Sequence, residues 1–337
     1  MNYMTMGIAR RSTKRPDEPF NLLTFPTHES AETVWCKTNI NVYAIRGRGI
    51  KGWNEKFRPL PKNYHLLSPS GAHQIRAYME TIPKDITFDA IVSQNIHAHN
   101  EIATGIAQQM GISLIELQHV LPNPAWSPDL LNTFKNRPAH KKIFITDYSR
   151  KAWGYNESEA DVIRHGIETD LFTIDRSNQK KHILSVVNEF RARDAELGYK
   201  LWEEVTNGLP RWHVGHDPGF SEAATNVQEL VNHYQTAPVF INTSRISPIP
   251  CSLLEAAACG CAIVTTNNCE IPYFFQHGEN AMMSNDPREL REFCKFLLAN
   301  EQERVRLGDA ARQSIVEKCD VGRYVREWNT TLENLLT

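Results

Sequence analysis

Asn242–Glu270 reads NTSRISPIPCSLLEAAACGCAIVTTNNCE, and its order of turn formers, helix formers and apolar residues decides the fold. Pro248 and Pro250 fix their own φ and push the residues before them into extended backbone, so the stretch opens as a loop. Ser252 then begins a run of strong helix formers, Leu253 to Ala258, with Glu255 three residues after it. That spacing predicts a capping box in which Ser252 accepts from the Glu255 amide and the Glu255 carboxylate reaches back. Gly260 ends the helix, and Cys-Ala-Ile-Val-Thr-Thr follows as a buried strand. A loop that delivers free backbone amides into a helix start is an anion site, above all for phosphate. Many α/β proteins also contain such a turn without using it, so local chemistry leaves both readings open.

Outward from this stretch, strands and helices alternate. Upstream lie a strand at 182–187, a helix at 195–206, a strand at 212–215, a helix at 227–234 and a strand at 238–242; helices at 287–300 and 301–318 follow downstream. The first half repeats the pattern, with strands at 20–25, 41–45, 88–93, 113–117 and 142–146 and helices at 70–80, 96–110 and 148–153. Such alternation predicts an α/β fold of parallel sheets covered on both faces. A chain of 337 residues suggests about two domains. The expected boundaries are a basic tail at 1–18, a first domain at 19–174, a second at 175–320 entered through the polar run Asp175 to Lys181, and a last helix at 321–337. In that helix Tyr324, Val325, Trp328, Leu332 and Leu335 recur at spacings of three or four, so it needs a partner surface and is expected to pack back across the domains. Two such halves put a cleft between them, the usual place for a ligand.

Composition narrows the function class. With 41% hydrophobic and 23% charged residues, the chain is globular. No apolar run approaches the roughly 18 residues a membrane helix needs, and Pro16-Asp-Glu-Pro19 follows the N-terminal basic residues where a signal peptide needs an apolar core. A cytoplasmic location is expected. Seven cysteines, an odd number, fit a reducing compartment. Those at 251, 259, 261 and 269 lack zinc-site spacing, and His97 and His99 diverge on a helix start, so no metal is expected. Gly47-Arg-Gly-Ile-Lys-Gly52 is a literal G-x-G-x-x-G, but Pro59 and Pro61 replace the helix that a dinucleotide fingerprint requires and no acid stands about 20 positions on. The net charge of −2 hides an asymmetry: residues 1–62 carry eleven Lys+Arg against five Asp+Glu, and the remainder 26 against 34. A basic block on an otherwise acidic chain points to an anionic partner.

The stretch Pro248-Ile-Pro-Cys-Ser-Leu-Leu-Glu-Ala-Ala-Ala-Cys-Gly-Cys-Ala-Ile-Val-Thr-Thr resembles the donor-site segment of retaining glycosyltransferases of the GT-B fold, family 4. Val162-Ile-Arg-His-Gly-Ile-Glu-Thr-Asp-Leu-Phe172 is similar to that family's interdomain segment. Val227 to Ser244, Ile271-Pro with His277-Gly-Glu-Asn-Ala, and Leu307-Gly-Asp-Ala-Ala-Arg extend the likeness to about residue 330, whereas the first 160 residues match only in the order of elements. The resemblance implies two Rossmann-like domains facing a central cleft. It places the ribose-binding glutamate on Glu255, whose two acceptor oxygens suit two vicinal hydroxyls. The family's other glutamate, which contacts the donor sugar, falls on Ser247, a departure that implies an altered sugar preference. Pro250 stands at a glycine-like position, leaving the amides of Ile249, Cys251 and Ser252 for sugar and phosphates. In Asn188-Glu-Phe-Arg-Ala-Arg-Asp, Arg191 or Arg193 is the candidate for the diphosphate arginine, while the family's lysine position falls on Leu197. His119, at a strand end, matches the cleft histidine that orients the reacting hydroxyls.

The expected activity is retaining transfer of a sugar from a nucleoside-diphosphate sugar, a UDP-sugar above others, with no metal required. In this fold the acceptor docks on the first half, where the positive charge lies. His28, Arg46, Arg48, Lys51 and Trp53 are the acceptor candidates, because a basic loop with an aromatic suits a nucleic-acid backbone and an unstacked base. By analogy with phage DNA glucosyltransferases, the expected acceptor is a hydroxymethylated pyrimidine in double-stranded DNA, in the host cytoplasm for a phage-encoded enzyme. A lipid-linked or polysaccharide acceptor is the enzyme alternative, and a sugar-nucleotide-binding protein of weak activity the non-enzyme one.

Overall fold

The computed structural model describes residues 14–15, 18–47, 52–68, 75–94 and 98–336. They form two compact units, one running to His165 and resuming at Gly322, the other Gly166–Val321. The first holds β1 (Phe20–Thr24), β2 (Ile40–Ile45), β3 (Tyr64–Leu67), β4 (Ala90–Ser93), β5 (Ser113–Gln118), β6 (Lys141–Phe144) and β7 (Asp161–Val162). They make a seven-stranded sheet in the order β3-β2-β1-β4-β5-β6-β7, parallel throughout. Every residue of β4 and β5 is buried, as expected of strands covered on both faces. Leu23, Phe25, Ile91, Ile106 and Leu114 lie in the core. The chain leaves β1 for β2 and β3 on one side and returns to β4 on the other, so the topological switch point lies between β1 and β4.

The second unit holds β8 (Ile183–Val186), β9 (Arg211–Val214), β10 (Val239–Asn242), β11 (Ala262–Thr265) and β12 (Met282–Met283). Its five-stranded sheet runs β12-β11-β10-β8-β9, again parallel. Here the switch point lies between β8 and β10.

Three expectations are corrected. The helix read at 195–206 is two helices, Asp194–Leu197 and Tyr199–Thr206. Gly198 between them has φ +74, and a Cβ there would lie 2.2 Å from the Thr243 carbonyl oxygen; the break lets this segment meet the loop after β10. The change between units falls at His165–Gly166, ahead of the polar run at 175–181. Ile167 and Phe172 are already buried in the second unit's core, and the Ile167 amide donates to the Cys319 carbonyl at 3.0 Å. The last helix, Val321–Leu336, packs within the first unit: Trp328 is fully buried with its ring 5.3 Å from that of Trp35. Arg323 donates to the carbonyls of Arg164 and His165 at 2.8 and 3.0 Å.

Candidate active site

In the second unit, the loop after β10 leads into the helix Cys251–Ala258. The expected capping box is absent. Pro250 is the N-cap, with extended backbone and no side-chain cap bond, and its carbonyl accepts from Leu253 at 3.1 Å. Proline has no amide for Glu255 to reach back to, so the carboxylate turns inward. Glu255 is 8% exposed, and Oε2 accepts from the Tyr234 hydroxyl at 2.9 Å. Among the described residues the amides of Cys251 and Ser252 meet no acceptor, which leaves an open helix N-terminus one turn before this carboxylate. Cys251 is exposed, Ser252 and Ser247 are half-buried, and Ile249 is buried in the core. At the other end of the helix, Arg312 donates to the Ala258 carbonyl and, at 2.7 Å, to that of Phe172, closing off the last turn.

Neighbouring loops lock this one in place. The amides of Arg245 and Ile246 donate to the Glu196 carbonyl at 2.7 and 3.0 Å, tying the segment after β10 to the one after β8. From the loop after β11, Thr266 Oγ1 and Asn268 Nδ2 donate to the Ser244 carbonyl at 2.7 and 2.9 Å. Two residues besides glycine adopt a left-handed backbone among those described, Glu189 at φ 53 and Cys269 at φ 50. One follows β8 and the other β11, so both belong to the loops that edge this site.

The structure separates the two candidate arginines. Arg191 donates through Nε and NH2 to Asp217 Oδ1 at 3.0 and 2.9 Å, and its amide to Oδ2 at 2.9 Å. Hydrogen bonding to Arg191 holds the Asp217 carboxyl below its ordinary range against the opposing effect of burial. The guanidinium is thus already neutralised, and it ties the loop after β8 to the loop after β9. Arg193 is exposed and enters no ion pair with a described residue.

In the first unit His28 and His119 come together, joined by a histidine that sequence reasoning did not single out. His28 follows β1, exposed, as the N-cap of the helix Glu29–Trp35; His119 follows β5. The ring of His165 is stacked on that of His119, with centroids 6.2 Å apart. Burial, then the charges of His165 and His28, pushes His119 down to about 3. Burial, then His28 and Arg323, pushes His165 down to about 4. Both rings are therefore neutral near pH 7, able to donate from one nitrogen and accept at the other. His119 Nε2 is buried without a partner, facing a cavity lined by Glu32, Gln94, His165, Tyr324 and Trp328 that has room for about one water molecule.

Glu32 was also missed. It is 1% exposed, and Oε1 accepts from the Thr27 amide at 2.9 Å, Thr27 Oγ1 at 3.0 Å and Gln94 Nε2 at 2.8 Å. Tyr64 donates to Oε2 at 2.6 Å. Burial raises its carboxyl, and these bonds oppose the rise. Its effect is to pin the loop that carries His28.

The other acceptor candidates fare differently. Arg46 is exposed and donates to Ser68 Oγ at 3.0 Å. Arg48 and Lys51 lie outside the described residues. Trp53 does not project as a stacking platform. Its indole donates to the Arg58 carbonyl at 2.8 Å, and its ring rests on Tyr64 with centroids 4.6 Å apart, because an amphipathic ring with a satisfied N–H is more stable half-buried. Among the described residues no group of three or more His, Cys, Asp or Glu side chains is placed to hold a metal ion.

This site stands in an architecture shared with known proteins. HepE of Anabaena, solved with UDP-glucose, has a TM-score of 0.75 at 13% identity, covering 93% of this chain and 99% of that one. Sucrose-phosphate synthase of Thermosynechococcus elongatus has 0.74 at 12% identity, covering 94% and 99%. A glycosyltransferase of Rickettsia africae has 0.69 at 12% identity, covering 95% and 99%. The fold is GT-B. Within it, residues 191–329, which include Glu255, match the glycosyl transferase-like family. The match covers less than half of the chain. No protein of curated function matches the sequence. The GT-B order of strands also accounts for the sites found above: each unit gathers its candidates on loops at the carboxyl ends of strands, around its own switch point.

Proposed function

We propose that the protein transfers a sugar from a nucleoside-diphosphate sugar, a UDP-sugar, to a hydroxyl acceptor with retention of configuration. The observation that carries this reading is Glu255, a carboxylate nearly buried yet reaching the surface, one turn past helix amides with no acceptor, at the switch point of a domain of matching family. In this reading Glu255 binds the ribose diol, while the amides of Ile249, Cys251 and Ser252 with Arg193 hold the diphosphate. A developing negative charge on the leaving group is stabilised there by the helix N-terminus and the guanidinium, without a metal. HepE is solved with UDP-glucose, which supports uracil as the base. Arg191 acts one step removed, through Asp217, by setting the loop. Ser247, in place of an acid, leaves a neutral hydroxyl toward the sugar. On the first unit, His119 and His28 orient the acceptor hydroxyl by hydrogen bonds.

For the acceptor we propose the hydroxymethyl group of a modified pyrimidine in DNA, supported by the positive balance of residues 1–62. A polysaccharide or lipid-linked acceptor is the second reading, favoured by Trp53, whose ring is packed on Tyr64 and so is not presented to a base. The test is release of UDP from a panel of UDP-sugars, with hydroxymethylated duplex DNA or oligosaccharide as acceptor. Release accelerated by the modified DNA, and suppressed by salt, is the expected result. Acceleration by oligosaccharide alone selects the second reading, and no hydrolysis or transfer with any donor overturns the activity itself.

A further inference from the structure

We propose that Tyr234 is a positioning residue for donor recognition: its hydroxyl holds one oxygen of Glu255, so that the pair, and not the carboxylate alone, recognises the cis-diol of a ribonucleoside diphosphate. The inference rests on the donor reading given above. Tyr234 lies on the helix Val227–Thr236, whose start is fixed by Asn226 accepting from the Glu229 amide at 2.9 Å and by Glu229 accepting from the Thr225 amide at 2.7 Å. The ring is fully buried, 6.1 Å between centroids from Phe172 and from Phe240. The Cys261 thiol donates to the Tyr234 carbonyl at 3.2 Å. The ring is thereby held by packing and its backbone by a hydrogen bond, and the hydroxyl donates to Glu255 Oε2, 2.9 Å away.

A glutamate side chain has three torsions, and most of its freedom would be lost on binding a sugar unless it were lost on folding. Tyr234 fixes it on folding. A carboxylate accepts several hydrogen bonds, so a phenol on Oε2 sets the plane of the group without exhausting it. A buried tyrosine hydroxyl also needs an acceptor, and no polar side chain other than Glu255 receives it among the contacts described. The same geometry predicts discrimination. A nucleotide with both ribose hydroxyls gains charge-assisted bonds to a fixed carboxylate, whereas one without them gains nothing from the fixing.

The experiment is calorimetric titration of the full-length protein and of Tyr234→Phe with UDP and with 2′,3′-dideoxy-UDP, with melting temperatures read on the same samples. Phenylalanine keeps the ring and removes only the hydroxyl. The wild type is expected to bind UDP about tenfold or more tighter than the dideoxy analogue, and Tyr234→Phe to lose about tenfold for UDP and nothing for the analogue. In turnover the donor KM rises and kcat holds. Equal losses for both ligands mean a structural role and overturn the proposal, as does a variant that discriminates like the wild type. A wild type that does not discriminate overturns the ribose role of Glu255 itself, and with it this inference.

Discussion

At the scale of single residues, the two histidines at the first unit's strand ends link protonation to stability. His119 and His165 sit at about 3 and about 4 in the folded chain, against roughly 6.5 when unfolded. Between those limits the unfolded chain binds protons that the folded chain does not. Their contribution to stability is therefore fully present above about pH 6.5 and is lost as pH falls toward about 4 for His165 and about 3 for His119. The limiting slope is about 1.4 kcal/mol per pH unit for each ring, and partial exposure makes the real slope smaller. His119→Asn is expected to flatten the fall in melting temperature between pH 7 and pH 5 while leaving the value above pH 7 little changed; parallel curves for variant and wild type contradict the assignment. The arginines after β8 make a second contrast. Arg191→Ala removes both guanidinium bonds to Asp217 Oδ1 and leaves that carboxylate only the residue-191 amide on Oδ2, so it is expected to lower the melting temperature. Arg193→Ala touches no described partner, and in the proposed role it weakens UDP binding several-fold at unchanged melting temperature. The reverse pattern would exchange their roles.

At the scale of elements, Gly198 is the joint on which the second unit's site depends. Its φ of +74, and the mere 2.2 Å that would separate an added methyl group from the Thr243 carbonyl oxygen, leave no room for a side chain. Gly198→Ala should destabilise by about 1–3 kcal/mol and weaken donor binding in parallel, because the Glu196 carbonyl just before it anchors Arg245 and Ile246; a variant as stable as the wild type contradicts this. The break at Gly198 was not legible in the sequence, where Ala195 to Thr206 reads as continuous helix, since one glycine is tolerated in a helical pattern. The stretch from β10 to β11 was legible because two prolines, a run of alanine and leucine, and a terminal glycine punctuate it within thirty residues. Its cap was misread: Ser252 and Glu255 have capping-box spacing, but Pro250 had already started the helix. β3 was overlooked because Tyr64–Leu67 is short and owes its conformation to pairing with β2. Glu255 and His119 were singled out as candidates by pattern. Glu32, Tyr234 and Asp217 were not, because each acts through partners distant in sequence: Gln94 and Tyr64, Glu255, and Arg191.

At the scale of the whole molecule, the chain crosses to its second unit at His165–Gly166 and returns at Gly322, so the first unit is completed only by the last residues of the chain. Trp328 and Leu332 are fully buried there, and Tyr324 and Trp328 line the cavity faced by His119. Trp328→Ala is expected to cost about 3–5 kcal/mol, seen as a large drop in the melting temperature of the first unit. Affinity for UDP, which the second unit is proposed to supply, should hold; a matching loss of affinity would contradict that division of labour. The account as a whole rests on Glu255 as the nucleotide-sugar anchor, and calorimetric titration of wild type and Glu255→Ala with UDP tests it most directly. The account predicts saturable one-to-one binding by the wild type and a loss of about tenfold or more in the variant. Failure of the wild type to bind UDP, or equal affinity in both proteins, would contradict it.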